Sequence, residues 1–272
     1  MRLSIKGETV LLTGASAGIG MALAQQMAGE VGVLILVARR EDRLLDLKKQ
    51  LEAQHKGLRV VVRACDLVDL EAVKALVDGL EREGEEIGIL VNNAGFGDIS
   101  LLEFAGWDKL QRMIQLNVTS LTYLTHRLIG KMIARKKGGI LNISSSAGLT
   151  FMAGAASYVG TKHYVTSFTE SLRCEVQHLG VVVTQVCPGP VATEFESVSG
   201  NPTGMSVPKW LEISAEQCAR ESLRGFVRGK PLIVTGWMMS MMMLFSSMTP
   251  RFLMRFVWGR LARMLRERQL PR

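Results

Sequence analysis

At 272 residues the chain has room for one large α/β domain or two small ones, with enough length for a continuous core. Hydrophobic residues make up 47% and charged ones 21%, which excludes a disordered or fibrous chain. The net charge of +8 does not indicate a nucleic-acid partner: seven arginines against one acid, Glu267, place +6 of it between Arg251 and Arg272, and no nucleic-acid-binding motif accompanies it.

The first residues, Met1 to Gly7, lead straight into a strand-like run and lack the apolar core of a signal peptide. Cys65, Cys174, Cys187 and Cys218 are scattered without Cys-x-x-Cys spacing, which argues against zinc and against a disulfide framework. Four reduced thiols suit a reducing compartment, so a cytoplasmic location is expected. From residue 8 to residue 236 short apolar runs alternate with longer amphipathic ones. Strands are expected at 9–13, 33–38, 58–64, 87–92, 139–143, 181–187 and 232–235, and helices near 19–29, 41–54, 69–83, 108–136, 157–179 and 214–227. Strands that are apolar throughout, separated by helix-length segments, indicate a parallel sheet buried on both faces. The expected architecture is α/β: a single doubly wound, Rossmann-type domain over 1–236, with seven parallel strands, helices on both faces and the ligand at the carboxyl edge. Residues 237–272 form a separate tail.

The first strand ends in Thr13-Gly14-Ala15-Ser16-Ala17-Gly18-Ile19-Gly20, and a helix follows at once. Glycines there let backbone amides approach a pyrophosphate, and a helix N-terminus favours its charge. The second strand ends in Arg39-Arg40 with no preceding acid. An NAD site calls for an acid here and a 2′-phosphate for arginine, so NADP(H) is expected over NAD(H), unless the two arginines are simply exposed. Further on, Tyr158 and Lys162 are four residues apart in a helical stretch and share one face. A free phenol is neutral near pH 7, whereas an adjacent ammonium favours the phenolate, so the pair is a candidate general acid/base.

With Thr13-Gly14, Gly18-Ile19-Gly20, Asp66-Leu67, Asn92-Asn93-Ala94-Gly95, Asn117, Ser145, Tyr158-x-x-x-Lys162 and Pro188-Gly189 in that order, residues 5 to about 236 resemble the short-chain dehydrogenase/reductase family. The resemblance implies catalytic roles for Asn117, Ser145, Tyr158 and Lys162. Tyr158 would exchange the proton and Ser145, thirteen residues earlier, would hold the carbonyl oxygen as hydride arrives. Lys162 would acidify Tyr158 and bind the nicotinamide ribose, and Asn117 would open its helix around a water that continues the relay. The dinucleotide would be held by Gly14, Ala15, Ser16, Gly18, Ile19, Gly20, Arg39, Arg40, Asp66, Leu67, Asn93, Ala94, Gly95, Pro188, Gly189, Val191 and Thr193, together with Tyr158 and Lys162. In this scheme Asp66 accepts from the adenine amine, though a local N-cap role is its alternative. Asn93 meets a ribose, and Val191 and Thr193 meet the carboxamide. Ser144 and Ser146 are expected to make local backbone hydrogen bonds.

His55, His126, His163 and His178 lack any partner spacing for a metal or a triad, and no metal is expected. Residues 194–213, rich in Gly, Pro and Ser, read as a mobile lid with an apolar inner face from Met205, Val207, Trp210 and Leu211, or as a solvated loop. In the tail, Thr249-Pro250-Arg251 stops the apolar run at 237–248 short of a membrane span. From Arg251 on, helical spacing gathers Leu253, Met254, Val257, Trp258, Leu261, Met264 and Leu265 on one side and arginines on the other. That pattern reads either as a surface-lying membrane contact over 251–268 or as a helix packed on a partner subunit or over the substrate mouth.

The expected function is an NADP(H)-dependent oxidoreductase moving hydride between nicotinamide and a small-molecule carbonyl or secondary alcohol. A lipophilic ketone is favoured by the apolar lid and tail. The alternative is a catalytically silent NADP(H)-sensing protein with the tail as its interaction device. The family often pairs subunits through its two long helices, so a homodimer or homotetramer is expected.

Overall fold

The computed structural model describes residues 2–200 and 208–269. The strands, in chain order, are Thr9–Thr13 (β1), Val33–Ala38 (β2), Arg59–Ala64 (β3), Ile89–Asn92 (β4), Gly138–Ile143 (β5), Val181–Pro188 (β6), Val191–Ala192 (β7), Ile213–Ser214 (β8) and Leu232–Thr235 (β9). The helices are Gly18–Met27 (α1), Glu41–Gln54 (α2), Leu70–Arg82 (α3), Trp107–Ile114 (α4), Leu121–Ala134 (α5), Ala156–Val176 (α6), Phe195–Ser199 (α7), Ala215–Val227 (α8), Trp237–Met248 (α9) and Arg251–Gln269 (α10). Seven strands form one sheet in the order β3-β2-β1-β4-β5-β6-β9. Every pairing in it is parallel. The seven expected strands all appear, their ends shifted by no more than two residues.

Side chains alternate across a strand, so each central strand divides its residues between two cores. Val10 and Leu12 of β1, with Leu34, Leu36, Ile89 and Val91, face one side, where α1, α2 and α8 cover them. Leu11, with Ile35, Val37 and Leu90, faces the other, under α3, α5 and α6. These strand residues are fully buried, and each such aliphatic side chain contributes on the order of 1.5–3 kcal/mol. That two-sided burial is why the strands read as continuous apolar runs.

The chain winds outward from β1 through β2 to β3, then returns to build β4, β5, β6 and β9 on the other side. Loops leaving β1 and β4 therefore diverge, and a crevice opens at their carboxyl ends. Two features of the glycine turn keep it narrow. Gly14 sits at φ +68°, and a Cβ on Gly20 would lie 2.2 Å from the Gly14 carbonyl oxygen.

A polar ladder crosses the same region. Asn92 pairs with Asn142 across β4 and β5, and its Nδ2 donates to Asn142 Oδ1 at 2.9 Å and to Thr125 Oγ1 at 3.1 Å. Asn142 Nδ2 donates in turn to Thr169 Oγ1 at 2.9 Å. All four residues are buried, so the ladder ties α5 and α6 to the sheet at fixed height.

The helical stretch expected over 108–136 is opened around Asn117 by a π-helical turn, Gln115–Ser120, between α4 and α5. The cause lies in Asn117, whose amide nitrogen donates to Phe96 O at 2.9 Å and to Thr161 Oγ1 at 3.1 Å. Asn142→Ala removes the middle of the ladder and strands buried partners, so it is expected to lower unfolding stability by about 1–3 kcal/mol. A urea titration in which the variant matched the wild type would show that the ladder does not hold α6.

Candidate active site

The crevice at the switch between β1 and β4 encloses about 510 Å³. The glycine turn contributes Gly14, Ser16, Gly18 and Ile19 to its wall, and the end of β2 contributes Arg39 and Arg40. Asp66 and Leu67 enter from behind β3, and Asn93, Ala94 and Gly95 from behind β4. Ser145, Tyr158 and Lys162 stand at the far end, with Pro188, Gly189, Val191 and Thr193 along the β6 side. Three expected residues stay off the wall: Ala15 is fully buried, Gly20 lies against Gly14, and Asn117 is buried behind Gly95.

The residues present fit a dinucleotide. Ala17, the N-cap of α1, offers no side-chain cap, and no acid occupies the first turn. The amides there are free of side-chain partners, and the positive end of the helix faces an uncontested space. Arg39 is exposed and has no ion pair or hydrogen bond among the described residues, so its guanidinium is available to a phosphate. Arg40 differs. It donates to Ser16 Oγ at 3.2 Å and to Glu194 Oε2 at 2.7 Å, while Arg43 holds the other Glu194 oxygen at 2.6 Å. Glu194 thus bridges the β6 loop to the start of α2, a contact that sequence order alone does not reveal.

Asp66 accepts from Val68 N at 3.1 Å and lies 3.6 Å from Arg112, while the N-cap of α3 is Asp69. The N-cap alternative for Asp66 is therefore set aside. Asn93 Nδ2 donates to the Thr13 and Gly14 carbonyls at 2.9 and 3.2 Å, so its nitrogen serves the glycine turn.

At the far end, α6 carries both Tyr158 and Lys162. Lys162 is buried, and Nζ donates to the Ile143 carbonyl at the end of β5 at 3.0 Å, 5.9 Å from the Tyr158 ring centre. A point one Cβ above Gly95 lies 3.5 Å from Lys162 Nζ and 3.1 Å from Asn117 Oδ1, so both groups border the same small space. Ser145, at the tip of β5, accepts from Ala147 N at 3.1 Å. Ser144 makes no local turn. Its hydroxyl donates to Lys162 O at 3.0 Å and meets Thr166 Oγ1 at 2.9 Å, pinning α6 to β5.

Burial dominates the electrostatics of the pair. It pushes the Tyr158 phenol up to about 12, with the Ser145 side chain pulling the other way. It lowers Lys162 to about 8. The expected acidified phenol is thus not what this environment produces: the lysine's own charge is disfavoured by the same desolvation.

The expected lid has a different inner face. Met205 and Val207 lie outside the described residues, Trp210 is exposed and Leu211 is half-buried. Phe195 and Val198 of α7 line the crevice instead, and the Phe195 ring lies 5.6 Å from that of Tyr158. Lys109 holds α7 down by donating to Ser199 O while pairing with Asp98 at 2.8 Å. Sequence reasoning missed this clamp, because Lys109 is an ordinary surface residue until the fold brings α4 to α7. Among the described residues, no group of three potential metal ligands comes together.

The family model described as short chain dehydrogenase matches residues 8–202. Over 196 residues the chain is 36% identical to sulfoacetaldehyde reductase 2 of Chromohalobacter salexigens, covering 70% of this chain and 75% of that protein. A short-chain dehydrogenase from Sphingobium yanoikuyae in complex with NADPH superposes with a TM-score of 0.77 at 30% identity, over 84% of this chain and 87% of that one. The bulky-bulky ketone specific alcohol dehydrogenase from Comamonas testosteroni gives 0.73 at 28% identity, over 84% and 85%. This chain belongs to the short-chain dehydrogenase family, and it is an oxidoreductase of that class.

A depressed lysine has a defined pH signature. With Lys162 at about 8 in the folded chain against 10.5 unfolded, the unfolded state binds more protons between those values, so this group's contribution to stability rises with pH across that window. Lys162→Met should remove that rise, which is worth about 3 kcal/mol in full. The readout is the difference between wild-type and variant urea stabilities at pH 7 and pH 10. The difference cancels the buried Cys65, Cys187 and Cys218 thiols, which burial raises to about 11 and which act in both proteins. A difference independent of pH would mean that Lys162 is charged as freely when folded as when unfolded.

Proposed function

We propose that this chain is an NADPH-dependent carbonyl reductase, able to run in reverse as an alcohol dehydrogenase. The observation that carries the reading is the convergence of Ser145, Tyr158 and Lys162 at one end of a crevice whose other end holds an unpaired Arg39. When bound, the dinucleotide supplies the hydride. The chain's own residues orient the carbonyl and deliver the proton.

In this reading Tyr158 gives its hydroxyl proton to the carbonyl oxygen. Held above its ordinary value by burial, the phenol carries its proton at neutral pH and has it to give. Ser145 donates to the same oxygen and stabilises the charge that develops there. Lys162 and Asn117 sustain the relay through the space above Gly95 that both border. Thr161, bonded to Asn117, fixes that geometry. The uncapped α1 terminus takes the pyrophosphate and Arg39 the 2′-phosphate, with Arg40 beside it; Asp66 takes the adenine amine. NADPH is also the dinucleotide held by the Sphingobium relative.

For the substrate we favour a lipophilic ketone. Phe96, Ile99, Met152, Phe195 and Val198 line the crevice, an apolar surface that suits a bulky ketone such as the Comamonas relative takes better than a small sulfonated aldehyde. The chemistry belongs to residues 1–236, in a cytoplasmic enzyme whose subunits pair through the 107–134 and 156–179 helices. The tail, 237–272, is an appendage through which the enzyme touches a membrane surface.

Two substitutions test the assignment. Tyr158→Phe should lower NADPH turnover with bulky ketones by about 10²–10⁴-fold while NADPH affinity changes little. Undiminished turnover would remove Tyr158 from the reaction. Arg39→Gln should weaken NADPH binding by roughly 10- to 100-fold and leave NADH binding alone. Equal effects on both dinucleotides would place the 2′-phosphate elsewhere.

A further inference from the structure

The tail has two apolar sides, and only one is covered. Met254, Trp258, Leu261 and Leu265 recur at helical spacing on α10 and face the body, Leu265 being fully buried. Gln269 Oε1 accepts from Leu101 N at 3.2 Å, and Arg266 pairs with Glu103 at 2.8 and 3.0 Å. On α9, Ser246 Oγ donates to Thr150 Oγ1 at 3.2 Å. Met239 is buried so tightly over Gly189 that a Cβ there would come within 2.6 Å of it. Gly189, Met152 and Ile99 line the crevice, so α9 and α10 are anchored close to it, at Gly189, Thr150 and Leu101.

The opposite side is open. Trp237, Phe245, Met248, Phe252 and Phe256 are 56–74% exposed. At 100° per residue, Phe252, Phe256, Arg260 and Arg263, with the single acid Glu267 among them, form the pole of α10 furthest from the buried stripe. Arg251, Arg255, Arg260 and Arg263 are exposed and form no ion pair among the described residues. Arg260 lies over the Phe256 ring at 4.5 Å. The face therefore joins large aromatic side chains to unneutralised guanidinium groups.

Charge decides what fits it. An isologous contact between two copies would bring these arginines against their own counterparts, since a twofold interface uses one patch twice. An anionic bilayer accepts both features: the rings enter the boundary between headgroups and acyl chains, and the guanidinium groups reach lipid phosphates. Among the described residues, no helix is long and apolar enough to cross a membrane, so the contact is with the surface.

We infer that the exposed faces of α9 and α10 lie on an anionic phospholipid surface and hold the nearby crevice against it, so that a ketone dissolved in the bilayer enters from the membrane side. The inference gives the membrane contact proposed above its residues and its orientation, and its second half rests on the lipophilic-ketone reading.

Vesicle flotation of the full chain tests it. Vesicles of phosphatidylcholine with roughly 30% phosphatidylglycerol should take up the protein at least about tenfold better than phosphatidylcholine alone, and raised salt should reduce the difference. Combined Arg255→Gln, Arg260→Gln and Arg263→Gln substitutions should weaken uptake by roughly fivefold per arginine. Phe252→Ser with Phe256→Ser should weaken it by at least about tenfold. Both variants should keep wild-type NADPH turnover with a water-soluble ketone, and lose turnover with a long-chain ketone embedded in anionic vesicles. Equal uptake by neutral and anionic vesicles, or no uptake, overturns the inference. So does a dimer, seen by light scattering, that the phenylalanine substitutions dissolve. A wild-type chain that ignores vesicles but reduces a soluble ketone sinks the surface and leaves the reductase reading standing. One that floats with vesicles but reduces no ketone supports the surface and sinks the reductase.

Discussion

The arrangement of the site depends on one buried ammonium. Lys162 is buried at the inner end of the crevice, and its nitrogen is held by the main-chain carbonyl of Ile143 at the tip of β5. A cation in that position is tolerable only if α6 stays at a fixed height against the sheet, because slippage would exchange a hydrogen-bonded charge for a bare one. The neighbouring contacts enforce that height. Ser144 bonds the Lys162 carbonyl and Thr166, Asn142 bonds Thr169, and Thr161 is held by Asn117. Tyr158 is placed by the same anchoring, since it lies one turn along the same helix.

The anchoring has an electrostatic consequence. Proximity to an ammonium argues for an acidic phenol, and desolvation argues for a neutral one. Here the second effect prevails for both partners: Tyr158 rises to about 12 and Lys162 falls to about 8. Both shifts have one leading cause, the removal of each group from water. At neutral pH the phenol therefore holds its proton.

Much of this was legible in the chain because the signals were local. Parallel strands buried on both faces leave unbroken apolar runs, and a turn such as Thr13–Gly20 reports its own geometry, since Gly20 has no room for a Cβ beside Gly14. Tyr158 and Lys162 share a face through helical period alone. What escaped is what only the fold brings together. Glu194 meets Arg40 and Arg43 across some 150 positions of sequence. Lys109 meets Ser199 across 90, and the Asn92–Asn142 ladder looks in sequence like two stray amides in apolar strands. The expectation of an acidified phenol failed for a related reason: spacing reveals that two groups are close and says nothing of how much water surrounds them.

The tail shows how far helical period can lead and where it stops. The wheel collects Leu253, Met254, Val257, Trp258, Leu261, Met264 and Leu265 on one side, and the structure divides that side in two. Met254, Trp258, Leu261 and Leu265 turn toward the body, while Leu253, Val257 and Met264 remain exposed beside Phe252 and Phe256. Packing against the body and facing a lipid surface were alternatives when the helix was read as having one apolar face. With two, they are compatible, and each supports the other. The inner stripe fixes α10 against the body, and only a fixed helix can hold its outer aromatics and arginines toward a surface. On the proposed membrane contact, such an element would set the orientation of the whole molecule, because it is anchored beside the crevice at Gly189, Thr150 and Leu101. The basic charge of the chain, which looked at first like a property of its composition, is in this light a property of its tail.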